Sequence, residues 1–377
     1  MNEILARLND AGNLRKLYDI EVSQKYLVYQ NKRYLNFSSN DYLGLSDANL
    51  QKQFLSALDT EHLFLMSNPS SRLMTGNTHY YKELEDSLAA FYRKEAALVL
   101  GCGFLLNTGI LPALTDERDL VVADKLVHAS LIDGLRLCNC RWTRFRHNDM
   151  EHLESVLKKN RKDYRHVYIV TESVFSMDGD IAPLRKMVEL KRQYDCSLYV
   201  DEAHAFGVRG EQGRGVAEEQ GIIADIDILV ATMGKALASQ GAFVVCSDEL
   251  KQILVNRMRT LIFSTALPPI SLLWSKFLLE KLPAMADKRK HLADLSEWMR
   301  SRIPGNVSAS HIIPVIVGDN FETLHLSEEL IHKGYWITAV RYPTVPEGTA
   351  RLRVSLSAAM SRDDVEGFVK ELKNIWK

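Results

Sequence analysis

From residue 119 onward the chain repeats one pattern, a short apolar run followed by a stretch whose apolar residues recur at helical spacing. Leu120–Ala123 leads to a helix from about Ser130, and His166–Thr171 to one from about Leu184. Ser197–Val200, Ile226–Ala231 and Ala242–Cys246 continue the series. Runs that are apolar at every position belong to strands buried on both faces, so the pattern predicts an α/β architecture built on a mainly parallel sheet covered by helices. Sheets of this kind collect ligands beyond the carboxyl ends of their strands.

The residues at those ends are therefore the candidates. They are His128 after the first strand, Glu172 and Ser176 after the second, Asp201 and His204 after the third, and Thr232 with Lys235 after the fourth. Lys235 lies in a short polar loop between two apolar segments, 227–232 and 242–245. An ammonium there is costly unless it is neutral, ion-paired or covalently used. It either snorkels to solvent or forms an imine, and an imine needs a cofactor. Asp201 at the end of a buried strand calls for a cation, which a protonated ring nitrogen or an arginine could supply, or it caps the following loop. Taken singly, His204 reads as a core histidine and His128 as a neighbour of a helix cap. Their convergence on one sheet edge with the lysine favours a shared site.

Upstream, Gly101-Cys102-Gly103-Phe104 joins a short apolar strand, 96–100, to a helix, leaving backbone N–H groups free to face an anion. The spacing matches neither the dinucleotide fingerprint nor the P-loop. Before it come an amphipathic helix over 1 to about 18, a hairpin from Tyr26–Tyr29 and Tyr34–Phe37, a polar loop Ser38–Leu45, a helix over 49–66, turn formers over 67–77 and a helix over 79–93. After it come a helical region over 270–302, strands at Ile312–Val317, Trp336–Val340 and Arg351–Ser357, and a last helix from Arg362. The expected organisation is an N-terminal helix and hairpin arm (1–48), a large α/β domain (49–270) and a small C-terminal α+β domain (271–377).

A net charge of −1, with basic residues spread along the chain, points away from nucleic acid and membrane surfaces. Five cysteines without CxxC or Cys/His spacing indicate neither a disulfide framework nor a metal site and fit a reducing cytoplasm. The first residues mix charged with apolar side chains, unlike a signal peptide, and no run is long enough to span a bilayer.

Several stretches, in order, resemble the α-oxoamine synthases, pyridoxal-phosphate enzymes of the aminotransferase-like fold type I. They are 36–45, Ser71-Arg72-Leu73, His147-Asn148-Asp149, 172–180, Asp201-Glu202-Ala203-His204, 232–236 and Pro343-Thr344-Val345-Pro346. The resemblance implies a large domain with a mainly parallel seven-stranded sheet and a small C-terminal domain. It implies that Lys235 holds pyridoxal 5'-phosphate as an imine, that Asp201 faces the pyridinium nitrogen, that His204 bonds the ring oxygen and that His128 stacks on the ring. Gly103, Phe104 and Thr232 would hold the phosphate, with Ser264 and Thr265 reaching that of the neighbouring subunit in a homodimer. Ser176 would contact the cofactor, Arg353 the substrate carboxylate, and Asn40 would lie near the imine. Arg15 and Thr344 match acyl-substrate contacts.

The implied reaction is a decarboxylative condensation of an amino acid with an acyl-CoA or acyl-carrier-protein thioester. Within the family the chain is most similar to the branch that joins L-alanine to a pimeloyl thioester, making 8-amino-7-oxononanoate for biotin. A glycine C-acyltransferase such as 2-amino-3-oxobutyrate CoA ligase is the alternative. A catalytically silent subunit would be expected to lack Lys235 or Asp201, and both are present. Two departures stand out: Met66-Ser67-Asn68-Pro69-Ser70 replaces a glycine-rich stretch, and Cys102 stands where Ser or Thr is usual.

Overall fold

The structure, a computed structural model, describes residues 2–58 and 66–376. It divides into two compact units, a larger one from 52–175 and 181–286 and a smaller one from 2–51, 176–180 and 287–376.

The larger unit is built on seven strands: β1 Ala96–Leu100, β2 Leu120–Asp124, β3 Arg141–Phe145, β4 Val167–Glu172, β5 Ser197–Asp201, β6 Ile228–Thr232 and β7 Ala242–Cys246. Their order is β1-β7-β6-β5-β4-β2-β3. β7 runs antiparallel to both its neighbours, and the other pairings are parallel. Every residue of β1, β2, β4 and β7 is buried, which is why these strands read as unbroken apolar runs. Helices α1 Gly103–Leu114 and α2 Ala129–Leu137 pack on one face, closing a core that includes Leu106, Ile110, Leu131 and Leu135. Each such side chain contributes about 1.5–3 kcal/mol by leaving water. The helices approach closely at Gly134, where a Cβ would lie 2.6 Å from the Asn107 carbonyl oxygen.

The smaller unit holds two sheets. Glu21–Ser23, Tyr26–Tyr29 and Lys32–Asn36 form an antiparallel meander, joined in parallel by Tyr335–Trp336. Gln30 and Asn31 turn the hairpin with φ of 50° and 60°, the left-handed backbone of a two-residue hairpin loop. Ile312–Gly318, Ala350–Ser355 and Ala339–Val340 form the second sheet. Segment 176–180 belongs to this unit because it is tied to it by bonds: Arg351 pairs with Asp178 at 2.6 Å and Arg353 Nε donates to the Ser176 carbonyl at 2.5 Å. Gly179, at φ +70°, fits where a Cβ would lie 2.0 Å from the Ile312 carbonyl oxygen.

The elements differ from expectation in places. The first helix covers only Asn2–Asp10 and gives way at Gly12, whose φ is +63°. The helix over 49–66 is described as Ala48–Ala57, and 59–65 lie outside the described residues. β3 has no counterpart in the sequence reading, because an edge strand with Arg, Thr and Arg on it carries no apolar run. The region 270–302 is two helices, Pro269–Lys281 and Ala286–Arg300, parted around Pro283. Pro269–Lys281 packs on His79–Tyr92 and sits in the larger unit, while the N-terminal arm shares a sheet with C-terminal residues. Among the described residues no helix is long and apolar enough to cross a membrane, and no cluster could hold a metal ion.

Candidate active site

In the larger unit the carboxyl ends of β2, β4, β5 and β6 bring the candidates together. β6 ends at Thr232, whose Oγ1 donates to the Gly241 carbonyl at 3.0 Å and accepts the Gly234 N–H at 3.2 Å. The N–H groups of Met233, Ala238 and Ser239 close the loop on Gly241, Lys235 and Met233 carbonyls, and buried Ala236 and Leu237 anchor it. This fixes the half-buried Lys235, whose Nζ lies 2.8 Å from Nε2 of the buried His204.

Asp201 ends β5 and is 4 % exposed. Its Oδ1 accepts the Ala203 N–H at 2.8 Å and its Oδ2 accepts Asn107 Nδ2, also at 2.8 Å. Asn107 donates as well to Ser130 Oγ at 3.0 Å and accepts from the Tyr199 hydroxyl at 2.7 Å. Ser130 Oγ lies 2.8 Å from Nδ1 of His128, which caps α2 by accepting the Ser130 N–H. A hydrogen-bonded chain, Asp201–Asn107–Ser130–His128, thus crosses the site. His128 is held below the ordinary histidine range, first by desolvation of its ring and then by Lys235, against an upward pull from Asp201. Neutral imidazole follows, with its proton on Nε2 because Nδ1 accepts.

Two further acids are buried here. Glu172, 2 % exposed at the end of β4, is pushed well above the carboxyl range by burial and by Asp201. Glu202, fully buried, is raised to about 7 by desolvation, although Ser173, Ala217 and Val216 all donate to it and oppose the shift.

Gly103 opens α1 after Cys102, whose side chain caps nothing, and among the described residues no side chain bonds the first N–H groups of that helix. A Cβ on Gly103 would lie 3.8 Å from Thr232 Cβ, so the helix start adjoins the end of β6. Phe104 beside it is half exposed. Thr265 is exposed and pairs with Ser71 through an isolated bridge, next to a partly buried Ser264.

The other expected site residues form their own groups in the smaller unit. Arg353 Nη1 donates to Ser355 Oγ at 2.7 Å and to Asn40 Oδ1 at 3.4 Å, and its Nε holds the Ser176 carbonyl. Tyr42, fully buried, lies 3.5 Å from Nη2 of the same arginine. Arg15 donates to Thr344 Oγ1 at 3.0 Å, and both are exposed. Arg15 also lines a cavity of about 480 Å³ with Gly12, Tyr18, Phe321, Trp336 and Arg341. Burial and the Arg15 charge push Arg341 below the usual arginine range.

Sequence reasoning missed Asn107 and Ser130. The available signal was a lone amide in the apolar run of α1, one helical turn after Gly103.

The model of the class I and II aminotransferases matches residues 32–372, and the chain belongs to that family, whose members are pyridoxal-phosphate enzymes of α/β fold. Within it, the chain is 49% identical to the 8-amino-7-oxononanoate synthase of Haemophilus ducreyi over 97% of this chain and 98% of that one. Among solved structures it is similar to a serine palmitoyltransferase of S. paucimobilis carrying bound PLP, at a TM-score of 0.91 and 27% identity, over 99% of this chain and 96% of that one. It is also similar to an 8-amino-7-oxononanoate synthase of Francisella tularensis, at a TM-score of 0.76 and 27% identity over 90% and 97% of the two chains.

The site residues fit the family's cofactor. A lysine amine, a buried carboxylate with acceptor capacity left on each oxygen, a neutral imidazole and an unclaimed helix start beside Thr232 are what an aldehyde, a protonated ring nitrogen, a ring face and a phosphate require.

Proposed function

We propose that the protein condenses L-alanine with a pimeloyl thioester, releasing CO2 and the thiol and giving 8-amino-7-oxononanoate for biotin synthesis. A C–C bond forms between alanine Cα and the thioester carbonyl carbon, the C–S bond breaks, and the alanine carboxylate leaves as CO2. Bound pyridoxal phosphate supplies an electron sink for the electron pair left at Cα.

The chain's own residues do the rest. Lys235 Nζ would anchor the cofactor, and as the free amine it would take the proton from Cα and return one there after CO2 has left. His204 Nε2, at 2.8 Å, accepts from Nζ and aims it. Asp201 sets a negative charge against the ring nitrogen, and Asn107 with the Ala203 N–H fixes its two oxygens. His128, neutral and held by Ser130, offers a flat face for stacking. N–H groups at Gly103 and Phe104 would hold the phosphate, and the Thr232 hydroxyl would turn from the Gly241 carbonyl to donate to it.

Arg353 grips the substrate carboxylate with its planar fork, with Asn40 and Ser176 beside it. Arg15 and Thr344 meet the acyl substrate. Its carrier is coenzyme A or an acyl-carrier protein.

The protein acts as a homodimer in which Ser264 and Thr265 of one subunit reach the phosphate held by the other. Exposed Ile4, Leu5, Leu8 and Leu17 in the smaller unit and exposed Phe263 in the larger one each support apolar contact with a second subunit. The five free cysteines suit a reducing cytoplasm.

The observation that carries the chemistry is the meeting of Lys235, His204 and Asp201 at one sheet edge; similarity along the full length to synthases of this name supports the choice of substrates. The test offers alanine, glycine and serine, each with a panel of acyl thioesters, and identifies the amino ketone released. 8-Amino-7-oxononanoate from alanine and pimeloyl-CoA is expected. Preference for glycine with acetyl-CoA would refute the substrate assignment.

A further inference from the structure

The edge of the larger unit's sheet carries a charged surface with no task in the reaction above. β3 is the last strand in the order and pairs only with β2, in parallel, with Ala123 opposite Arg144 and Asp124 opposite Phe145. Strand geometry puts Trp142 and Arg144 on one face, while Lys125 and Arg146 are the first residues beyond the carboxyl ends of β2 and β3. With His152 these side chains line a cavity of about 380 Å³ whose lining includes no acidic residue.

Lys125, Arg144 and Arg146 are all exposed. Arg146 has an acid partner, Asp149 at 2.7 Å. Asp124, next to Lys125, is buried and turned to other groups, with Oδ1 2.9 Å from Nδ1 of His147 and Oδ2 accepting the Asn148 N–H at 2.9 Å. Among the described residues no carboxylate pairs with Lys125 or Arg144, and no hydrogen bond fixes either side chain. A site for one small anion holds it with convergent, fixed donors. Free cations standing on a sheet edge beside the half-buried Trp142 instead suit a protein face that bears several carboxylates, where rim charges steer the encounter and an aromatic anchors it.

The patch lies at the same carboxyl edge as the candidate active site. β5, which ends at Asp201, and β6, which leads to Lys235, are three and four strands from β3, about 14 and 19 Å by backbone spacing. A phosphopantetheine arm on a carrier-protein serine is about as long as five residues of extended chain, roughly 17 Å. A carrier seated at β3 therefore has the reach to bring its thioester to the lysine. We propose that this edge docks the acidic face of a small acyl-carrier protein, with Lys125 and Arg144 meeting its carboxylates. The proposal rests on the condensation proposed above and chooses the protein carrier over coenzyme A.

The test measures amino-ketone formation from alanine with two donors, pimeloyl-CoA and a pimeloyl group on the phosphopantetheine of an acidic acyl-carrier protein. It compares wild-type holoenzyme with Lys125→Glu, Arg144→Glu and the double variant. Charge reversal sets like charges across the interface, so the double variant should raise KM for the carrier-linked donor about tenfold, with kcat and the KM for pimeloyl-CoA within about twofold of wild type. Each single variant should show part of that rise. Added salt should raise the wild-type KM for the carrier-linked donor and move that of the double variant less. Unchanged kinetics with the carrier-linked donor in the double variant would overturn the proposal. So would equal losses with both donors in variants that keep the wild-type circular dichroism, the mark of a nucleotide-phosphate site, or a wild-type enzyme that turns over only the CoA donor. If the double variant does not fold, the single variants and the wild-type salt dependence decide. Wild-type protein that makes no amino ketone from either donor would instead overturn the functional reading.

Discussion

Glu202 offers a direct test of how the sheet edge is held together. Its carboxyl is fully buried beneath the turn at Gly215, where a Cβ would lie 2.4 Å from Glu202 Oε2. It accepts Ser173 Oγ at 2.5 Å, Val216 N at 3.1 Å and Ala217 N at 2.7 Å. Desolvation outweighs these donors and raises it from 4.5 to about 7. The folded protein thus holds a proton that the unfolded chain releases above its ordinary carboxyl value. The resulting stabilisation is complete below pH 4.5 and is lost as pH rises through about 7. The shift corresponds to about 3 kcal/mol in all, of which about 2.5 kcal/mol is lost between roughly pH 5 and 8. Glu202→Gln keeps the shape and removes the proton. Urea denaturation of wild type and Glu202→Gln, at equal protein and cofactor concentrations across that range, should show wild type losing stability relative to the variant as pH rises. Glu172 titrates in the same sense but is present in both proteins, so it cancels. Parallel pH curves, or wild type gaining on the variant, would refute the reasoning.

Two further substitutions probe the site. Asn107→Ala removes partners from Asp201, Ser130 and Tyr199 at once and should cost about 3 kcal/mol in a thermal melt, with cofactor affinity falling about tenfold in a titration. Arg353→Lys exchanges a fork held by the Ser176 carbonyl for a flexible point charge, so the KM for the amino acid should rise about tenfold with cofactor absorption unchanged.

The parts of the fold that the sequence revealed are those where burial dictates composition. β4 to β7 are apolar because both faces are covered, and their ends pointed straight to Asp201, His204, Thr232 and Lys235. β3 stayed hidden because half of an edge strand faces water. The N-terminal helix stops at Asp10 although Leu14 and Leu17 continue the apolar spacing, because Gly12 takes a left-handed turn. Asn107, Ser130 and Glu202 act through partners on other elements, and no local pattern marks a polar residue whose reason lies 94 positions away, as for Asn107 with Asp201, 23 away, as for Ser130 with Asn107, or 29 away, as for Glu202 with Ser173. Arg353, Ser176 and Asn40 came together because segment 176–180 folds with the smaller unit, an allegiance its place between β4 and β5 does not suggest.

The central claim is that Lys235 carries the cofactor. Borohydride reduction of the holoenzyme, followed by proteolysis and mass spectrometry, should place the reduced pyridoxyl phosphate on the peptide containing Lys235, and Lys235→Ala should carry none. An adduct on a different lysine, or a holoenzyme that yields no adduct at all, would contradict the account.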